Sequence, residues 1–300
     1  METGNLYKND IASPSAALGQ MLAGYQVTQL IYVAAKLGLA DVLADGPKTS
    51  AELGAKVGAN PNVLRRILRA LACVGVFEQV GEGHFGLTSV GGYLRRDVPG
   101  SLHAIAVFNG EDWVQRAWGG LLHAAQTGEL ALDHGLGVTF GEFVAQHPEV
   151  SRTLDERAAG NTARVADAIA ASYDFADVSR LVDVGGSYGT LTAAILRANA
   201  HLTGIVFDRP SVREGARQYL TAAGCGERCE VVSGDFFDWV PRGGDVYVLK
   251  SIIHDWNDHR SLAILQKVRE AMAETARLLL VERLMPADSE PSFELPPTTS

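Results

Sequence analysis

The chain is short of cysteine: Cys73, Cys225 and Cys229 are the only three in 300 residues. That is too few for a disulfide-stapled scaffold. Cys225 and Cys229 stand in CGERC, which reads as half of a metal site. No second Cys/His pair follows at ligand spacing, so incidental thiols and no metal are expected. No run approaches the roughly 18 apolar residues of a membrane-spanning helix. The opening METGNLYKND is polar, without the charged-then-apolar order of a secretory signal. Positive charge is scarce too: 26 Lys+Arg against 35 Asp+Glu leave a net charge of −9, the wrong sign for a dedicated reader of phosphate backbones. These absences lead to the expectation of a cytoplasmic, reducing setting with neither membrane nor nucleic acid as partner. What is present, 47% hydrophobic and 20% charged residues, is ordinary globular composition and argues against wholesale disorder or a coiled coil. A length of 300 residues suggests about two domains.

The first third reads as helices. Between Ala16 and Leu43 the residues Leu18, Leu22, Tyr25, Leu30, Val33, Leu37 and Leu43 recur at near-helical spacing. The segment is apolar on more than one face, which points to a partner subunit. Thr49 or Ser50 then caps a short helix with Glu52 in its first turn, Gly58 ends it, and Asn60-Pro61 opens another. That second helix carries Val63, Leu64, Ile67, Leu68 and Leu71 as its inner face, and Gly75 closes it. Val76-Phe77, the turn Gly81-Glu82-Gly83, and Phe85 with Leu87 complete a β-hairpin, so the unit is expected to be a winged helix. Over Thr49 to Glu78 the balance is Lys56, Arg65, Arg66 and Arg69 against Glu52 and Glu78, or +2. In an acidic N-terminal half, that favours dimerisation or substrate shielding over DNA reading.

From Ser101 to Ser172 the pattern stays helical, with turn signals at Asn109-Gly110, Gly119-Gly120, Asp133-His134-Gly135 and His147-Pro148. Phe108, Trp113, Trp118, Phe140 and Phe143 are expected mostly as core, and some as a roof for a flat apolar substrate. After Arg180 short apolar runs alternate with helices. The runs are Leu181 to Val184, Leu202 to Phe207, Glu230 to Val232, Val246 to Leu249 and Leu278 to Val281; the helices are Leu191 to Ala198, Val212 to Ala223 and Leu262 to Ala273. This alternation predicts an α/β domain with a parallel sheet. The expected divisions are 1–100 (winged helix, dimerisation), 101–172 (helical, substrate-covering), 173–286 (cofactor domain) and 287–300 (disordered tail).

The first of these runs ends in DVGGSYG and enters a helix directly, so a ligand can approach its backbone closely. The dinucleotide spacing G-x-G-x-x-G is not met. Gly185 to Gly189 does match the hydrolase elbow G-x-S-x-G, with Ser187, Asp235 and His254 in the chain order of a triad. The elbow serine, however, follows the first strand of the domain, and no oxyanion loop precedes it. A class I methyltransferase site fits better. It needs an acid and glycines at the first turn (Asp183, Gly185, Gly186). It needs an acid ending the second strand to accept both ribose hydroxyls (Asp208), and Gly234-Asp235-Phe236-Phe237 after the third strand for adenine.

The runs DVGGSYG, FDRP, GDFF and LKSIIHDWND, with the winged-helix region before them, closely resemble the O-methyltransferases of the plant caffeate type and their bacterial relatives that decorate antibiotics. The resemblance extends to about Pro286. It implies a Rossmann-like sheet behind a helical dimerisation domain, a homodimer through the N-terminal helices, and S-adenosylmethionine as cofactor. It implies His254 as general base, oriented by Glu282, and cofactor contacts at Asp183, Gly185, Gly186, Asp208, Asp235, Phe236, Lys250 and Ser251. Asn161-Thr162 matches a polar pair whose second member touches the cofactor. By residue type, Asn109, Trp113, Phe140, Phe143, Asn161 and Trp256 are expected to face a planar acceptor. Phenols ionise near pH 10, so an imidazole positioned to take the proton suits the transfer.

Two departures from the family pattern stand out. Ser187 replaces a third consecutive glycine. The chain also turns Pro- and Ser/Thr-rich after Pro286, which predicts disorder there, missing closing strands and an open edge at Leu278 to Val281. That leaves a shortened product, strands supplied by a partner, or a cofactor-binding relative that no longer methylates as alternatives to full activity. A winged-helix regulator is the further alternative. A salt-titrated gel shift with duplex DNA is expected to show no retarded band. A band that fades steeply as salt rises would establish phosphate binding instead.

Overall fold

The computed structural model describes residues 13–284. The Pro- and Ser/Thr-rich segment after Pro286, with the expectations attached to it, lies outside those residues. The chain divides after Ala145 into two compact units.

The first unit runs α1 (Pro14–Lys36), α2 (Leu39–Val42), β1 (Lys48–Thr49), α3 (Ser50–Val57), α4 (Pro61–Cys73), β2 (Phe77–Val80) and β3 (His84–Leu87). It continues with α5 (His103–Gly110), α6 (Asp112–Gly119), α7 (Leu121–Thr127), α8 (Ala131–Leu136) and α9 (Phe140–Gln146). The winged helix forms as its caps dictate. The Glu52 amide donates to Thr49 Oγ1 and the Thr49 amide to Glu52 Oε2, a reciprocal capping box. The Asn60 side chain accepts from the amides of Asn62 and Val63, and Pro61 fills the first helical position. The hairpin strands pair antiparallel in a three-stranded sheet of order β1-β3-β2. Leu53, Leu64, Leu68, Leu71, Phe77 and Phe85 pack together beneath it.

Two local expectations are corrected. Val63 does not belong to the inner face of α4: it is 54% exposed while Leu64, Leu68 and Leu71 are buried. One residue off the stripe turns it about 100° away. The helical stretch from Ala16 to Leu43 forms two helices, parted at Gly38, whose φ of +66° is left-handed. Asp133-His134-Gly135 is not a turn but the middle of α8. The α6 backbone passes so closely that a Cβ on Gly135 would lie 2.5 Å from the Arg116 carbonyl, and the helix ends later, at Gly137. Along α1 the apolar side chains of Leu18, Met21, Leu22 and Tyr25 are exposed, whereas Ala34 and Ala35 are buried. No helix among the described residues is long and apolar enough to cross a membrane.

The second unit carries α10 (Pro148–Ala163), α11 (Ala166–Ser172), β4 (Arg180–Val184), α12 (Thr190–Ala198), β5 (Thr203–Asp208), α13 (Arg213–Ala222), β6 (Cys229–Ser233), β7 (Val246–Lys250), α14 (Asp258–Ala271) and β8 (Arg277–Val281). All five strands are parallel, in the order β6-β5-β4-β7-β8. Each expected apolar run is one of these strands. Helices cover both faces, so the central strand β4 is buried from Leu181 to Val184. The chain crosses from the β4–β5 side to the β7 side at the sheet's midline. The carboxyl ends there frame the crevice in which open α/β sheets bind ligands.

The register of α4 is directly testable. Leu68→Ala is expected to cost about 2–5 kcal/mol of stability, and Val63→Ala less than about 0.5 kcal/mol. Denaturant unfolding of the two variants checks this, and comparable losses would restore Val63 to the inner face.

Candidate active site

The crevice is built from the ends of five parallel strands. After β4 the chain turns at Gly185, with φ +74°, and enters α12 through Gly189, with φ +76°. A side chain at Gly185 would collide with Ile252, which follows β7, and a Cβ at Gly186 would lie 2.7 Å from the Asp183 carboxyl carbon. Both glycines are therefore required by close approach. Asp183 is 2% exposed and accepts a hydrogen bond from Thr192 Oγ1 at 2.7 Å. Burial pushes its pKa up to about 6, against the Thr192 bond and the Lys250 ammonium and with help from the Asp208 carboxylate.

Asp208, ending β5, is held at both oxygens. The Ser187 amide donates to Oδ2 and the Arg209 amide to Oδ1, each at 2.7 Å. Ser187 stands at φ +50°, a left-handed conformation that costs a non-glycine residue about 1–2 kcal/mol. Its hydroxyl and that of Ser233, at the end of β6, are buried without a hydrogen-bond partner among the described residues. On the next loop Asp235 accepts from the Phe237 amide at 2.8 Å. Phe236 and Phe237 meet Trp256 edge-on, with centroids at 6.2 and 4.8 Å, and the Arg260 guanidinium lies 3.8 Å from the Phe237 centroid. Trp256 is thus placed with the aromatic pair after β6.

β7 ends in Lys250, whose ammonium donates to Ser251 Oγ at 3.1 Å. Burial lowers its pKa, opposed by the carboxylates of Asp183 and Glu282. A single 3-10 turn, Ile253–Asp255, presents His254. Glu282, just past β8, holds that turn. Its Oε1 accepts from the amides of Ile252 and Ile253 at 3.0 and 2.9 Å, and its Oε2 lies 2.5 Å from His254 Nδ1. A carboxylate only accepts, so in this contact Nδ1 is the donor. The hydrolase triad is not assembled: Glu282, not Asp235, meets the imidazole.

Thr162 is buried on α10, its hydroxyl donating to the Ala158 carbonyl, and Asn161 beside it is half-buried. In the first unit Trp113 is 7% exposed at the centre of an aromatic cluster. Phe140 stacks on it at 5.8 Å, and Phe143 and Phe108 approach at 6.4 and 5.2 Å. The Asn109 carbonyl accepts from the Gln115 side chain. Two features near the crevice escaped the sequence reading. Asp255 Oδ1 lies 3.4 Å from His254 Nε2. Asp155 on α10 pairs with Arg209 at 3.1 Å. The first is adjacent to His254 in sequence. The second had a signal in the seven-residue spacing of Asp155 and Thr162, which sets both on one helix face.

Comparison with known proteins agrees with this geometry. Residues 118–295 match the family model of the O-methyltransferase domain, and residues 20–97 that of the O-methyltransferase dimerisation domain. The phenazine O-methyltransferase PhzM of Lysobacter antibioticus is 45% identical over 279 residues, 93% of this chain and 82% of that protein. The O-demethylpuromycin-O-methyltransferase of Streptomyces alboniger is 44% identical over 265 residues, 88% of this chain and 70% of that protein. The crystal structure of LaPhzM superposes with a TM-score of 0.89 at 45% identity, covering 94% of this chain and 84% of the other. That of the mitomycin 7-O-methyltransferase MmcR gives 0.84 at 35% identity, covering 94% and 83%.

The buried Asp183 carboxylate has a stability consequence. Its folded value of about 6 lies above the ordinary 3.8, so the folded protein binds its proton more tightly than the unfolded chain does. The cost of the buried charge therefore grows as pH rises from about 4 to 6 and is complete above that. Asp183→Asn is expected to raise the melting temperature of the ligand-free protein more at pH 8 than at pH 5. An equal change at both pH values, measured by scanning calorimetry, would contradict this.

Proposed function

The chain belongs to the O-methyltransferase family, and from that premise we propose that it methylates a hydroxyl of a small aromatic secondary metabolite with His254 as general base. S-adenosylmethionine is the cofactor, as in the related structures solved with it or with S-adenosylhomocysteine. When bound it supplies a methyl group already activated on a sulfonium, which leaves the protein mainly the task of alignment.

The site's chemistry fits that cofactor. Asp208 offers both oxygens to a ribose diol, each already steadied by one backbone amide. Gly185 and Gly186 let the methionine end pass close to the backbone above Asp183. Phe236, with Asp235, is assigned to the adenine. Lys250 and Ser251 at the end of β7, and Thr162 on α10, complete the cofactor's surroundings. The buried hydroxyls of Ser187 and Ser233 are further donors in the same crevice.

The observation that carries the proposal is the Glu282–His254 contact. With Nδ1 donating to Glu282, Nε2 is free to take the acceptor's proton as the new bond forms, and the carboxylate stabilises the imidazolium that results. The same carboxylate fixes the ring's backbone through two amides. Asn161, next to Thr162, is assigned to the acceptor. The named relatives act on a phenazine and on O-demethylpuromycin, which supports an aromatic acceptor here. The exposed apolar side of α1, carrying Leu18, Leu22 and Tyr25, is assigned to a second copy of the chain, in keeping with the dimerisation domain.

His254→Ala is expected to lower turnover by about a hundred- to ten-thousand-fold while S-adenosylhomocysteine binds as tightly as before. Glu282→Gln, which keeps a carbonyl oxygen for the two amides but loses the charge, is expected to fall between the two. A methyl-transfer assay on a panel of phenols beside a calorimetric titration reads both. Undiminished turnover in His254→Ala would end the base assignment.

A further inference from the structure

The carboxylate of Asp155 is the most deeply buried acid on α10, at 7% exposure for the residue. Its partner comes from a different element: Arg209, the residue after β5, places Nη2 3.1 Å from Asp155 Oδ1. The same arginine faces Asp208. Its amide donates to Asp208 Oδ1 at 2.7 Å and its Nε lies 3.6 Å from that oxygen. One guanidinium thus joins two carboxylates, one on α10 and one at the end of β5. Without it Asp155 would be an unpaired buried charge. Burial already pushes its pKa up to about 6, Asp208 adds to the rise, and Arg209 opposes it.

The position along α10 gives the bridge its meaning. Thr162 lies two turns beyond Asp155 on the same buried face, which also carries Val150 and Ser151. Whatever fixes Asp155 therefore also fixes Asn161 and Thr162, which share its helix and are assigned above to the acceptor and the cofactor. A hydrophobic contact would hold the helix equally well with no bearing on the ligand. An arginine shared with Asp208 ties the helix to the one carboxylate that meets the ribose.

We propose that Arg209, shared between Asp155 on α10 and Asp208 at the end of β5, is a strap that holds the ribose carboxylate in place and thereby sets how long the cofactor is retained. Asp155 and Arg209 are positioning residues: they retain the cofactor, and the methyl-transfer step does not use them. The inference rests on the assignment of Asp208 to the ribose.

The test uses the full chain and S-adenosylhomocysteine as probe, with affinity from calorimetry and dissociation rate from stopped flow. Asp155→Asn and Arg209→Met are each expected to weaken affinity about tenfold, chiefly through faster dissociation. Because the two act as one unit, the double variant is expected to be no weaker than the weaker single variant. Arg209→Lys, which keeps a charge but not the fork, is expected to recover part of the loss. Asp155→Asn removes a buried charge, so the melting temperature of the ligand-free protein is expected to hold or rise. Unchanged affinity and dissociation in both single variants, or additive losses in the double, would overturn the strap. Asp208→Ala separates the two assignments. If it binds as tightly as the wild type, the ribose assignment fails. If it loses affinity while Asp155→Asn and Arg209→Met do not, the strap alone fails.

Discussion

One carboxylate organises the reacting end of this site. Glu282 accepts two backbone amides and the imidazole of His254, three donors on one charged group. Hydrogen bonds to a charged partner are worth about 1.5–3 kcal/mol each, so the turn that presents His254 has one arrangement of lowest energy. The sheet supplies the carboxylate. β8 pairs in register with β7, with Val281 opposite Lys250, and the next residue falls beside the turn that follows β7. The contact between Glu282 and the turn that presents His254 follows from that register.

The rest of the crevice balances charges that a sheet interior would otherwise refuse. Asp183 lies under the first turn and Lys250 under the fourth, each pulled toward its neutral form by burial and back toward its charged form by the other. Gly185 and Gly186 stand where the Ile252 and Asp183 side chains crowd the backbone, and Ser187 takes a glycine's conformation without being one. Its amide steadies Asp208 in return, so the strain sits where it orients a binding group, as is common at functional sites.

Much of this was legible in the sequence because its motifs fall at the ends of consecutive strands. DVGGSYG, FDRP and LKSIIHDWND each straddle the last residues of a strand and the loop after it, GDFF begins directly after β6, and a parallel sheet gathers such ends by construction. The caps of α3 and α4 were equally local, since Thr49 with Glu52 and Asn60 with Pro61 declare their roles within four residues. What failed depended on angles and neighbours. Val63 lies one residue off its helix's stripe. The helical Gly135 is set by the passing backbone of α6. The Asp155–Arg209 pair joins residues 54 apart, and no local pattern announces a contact of that kind.

The central claim is that Glu282 holds the proton on Nδ1 of His254 and leaves Nε2 with a lone pair. Asp255, 3.4 Å from Nε2, offers the competing arrangement in which the proton sits on the other nitrogen. Nitrogen-15 NMR of the imidazole, in the cofactor-bound enzyme above the histidine's titration, distinguishes them directly. The account predicts a protonated Nδ1 and an unprotonated Nε2, and a loss of that preference in Glu282→Gln. A proton resident on Nε2 in the wild-type enzyme would contradict it.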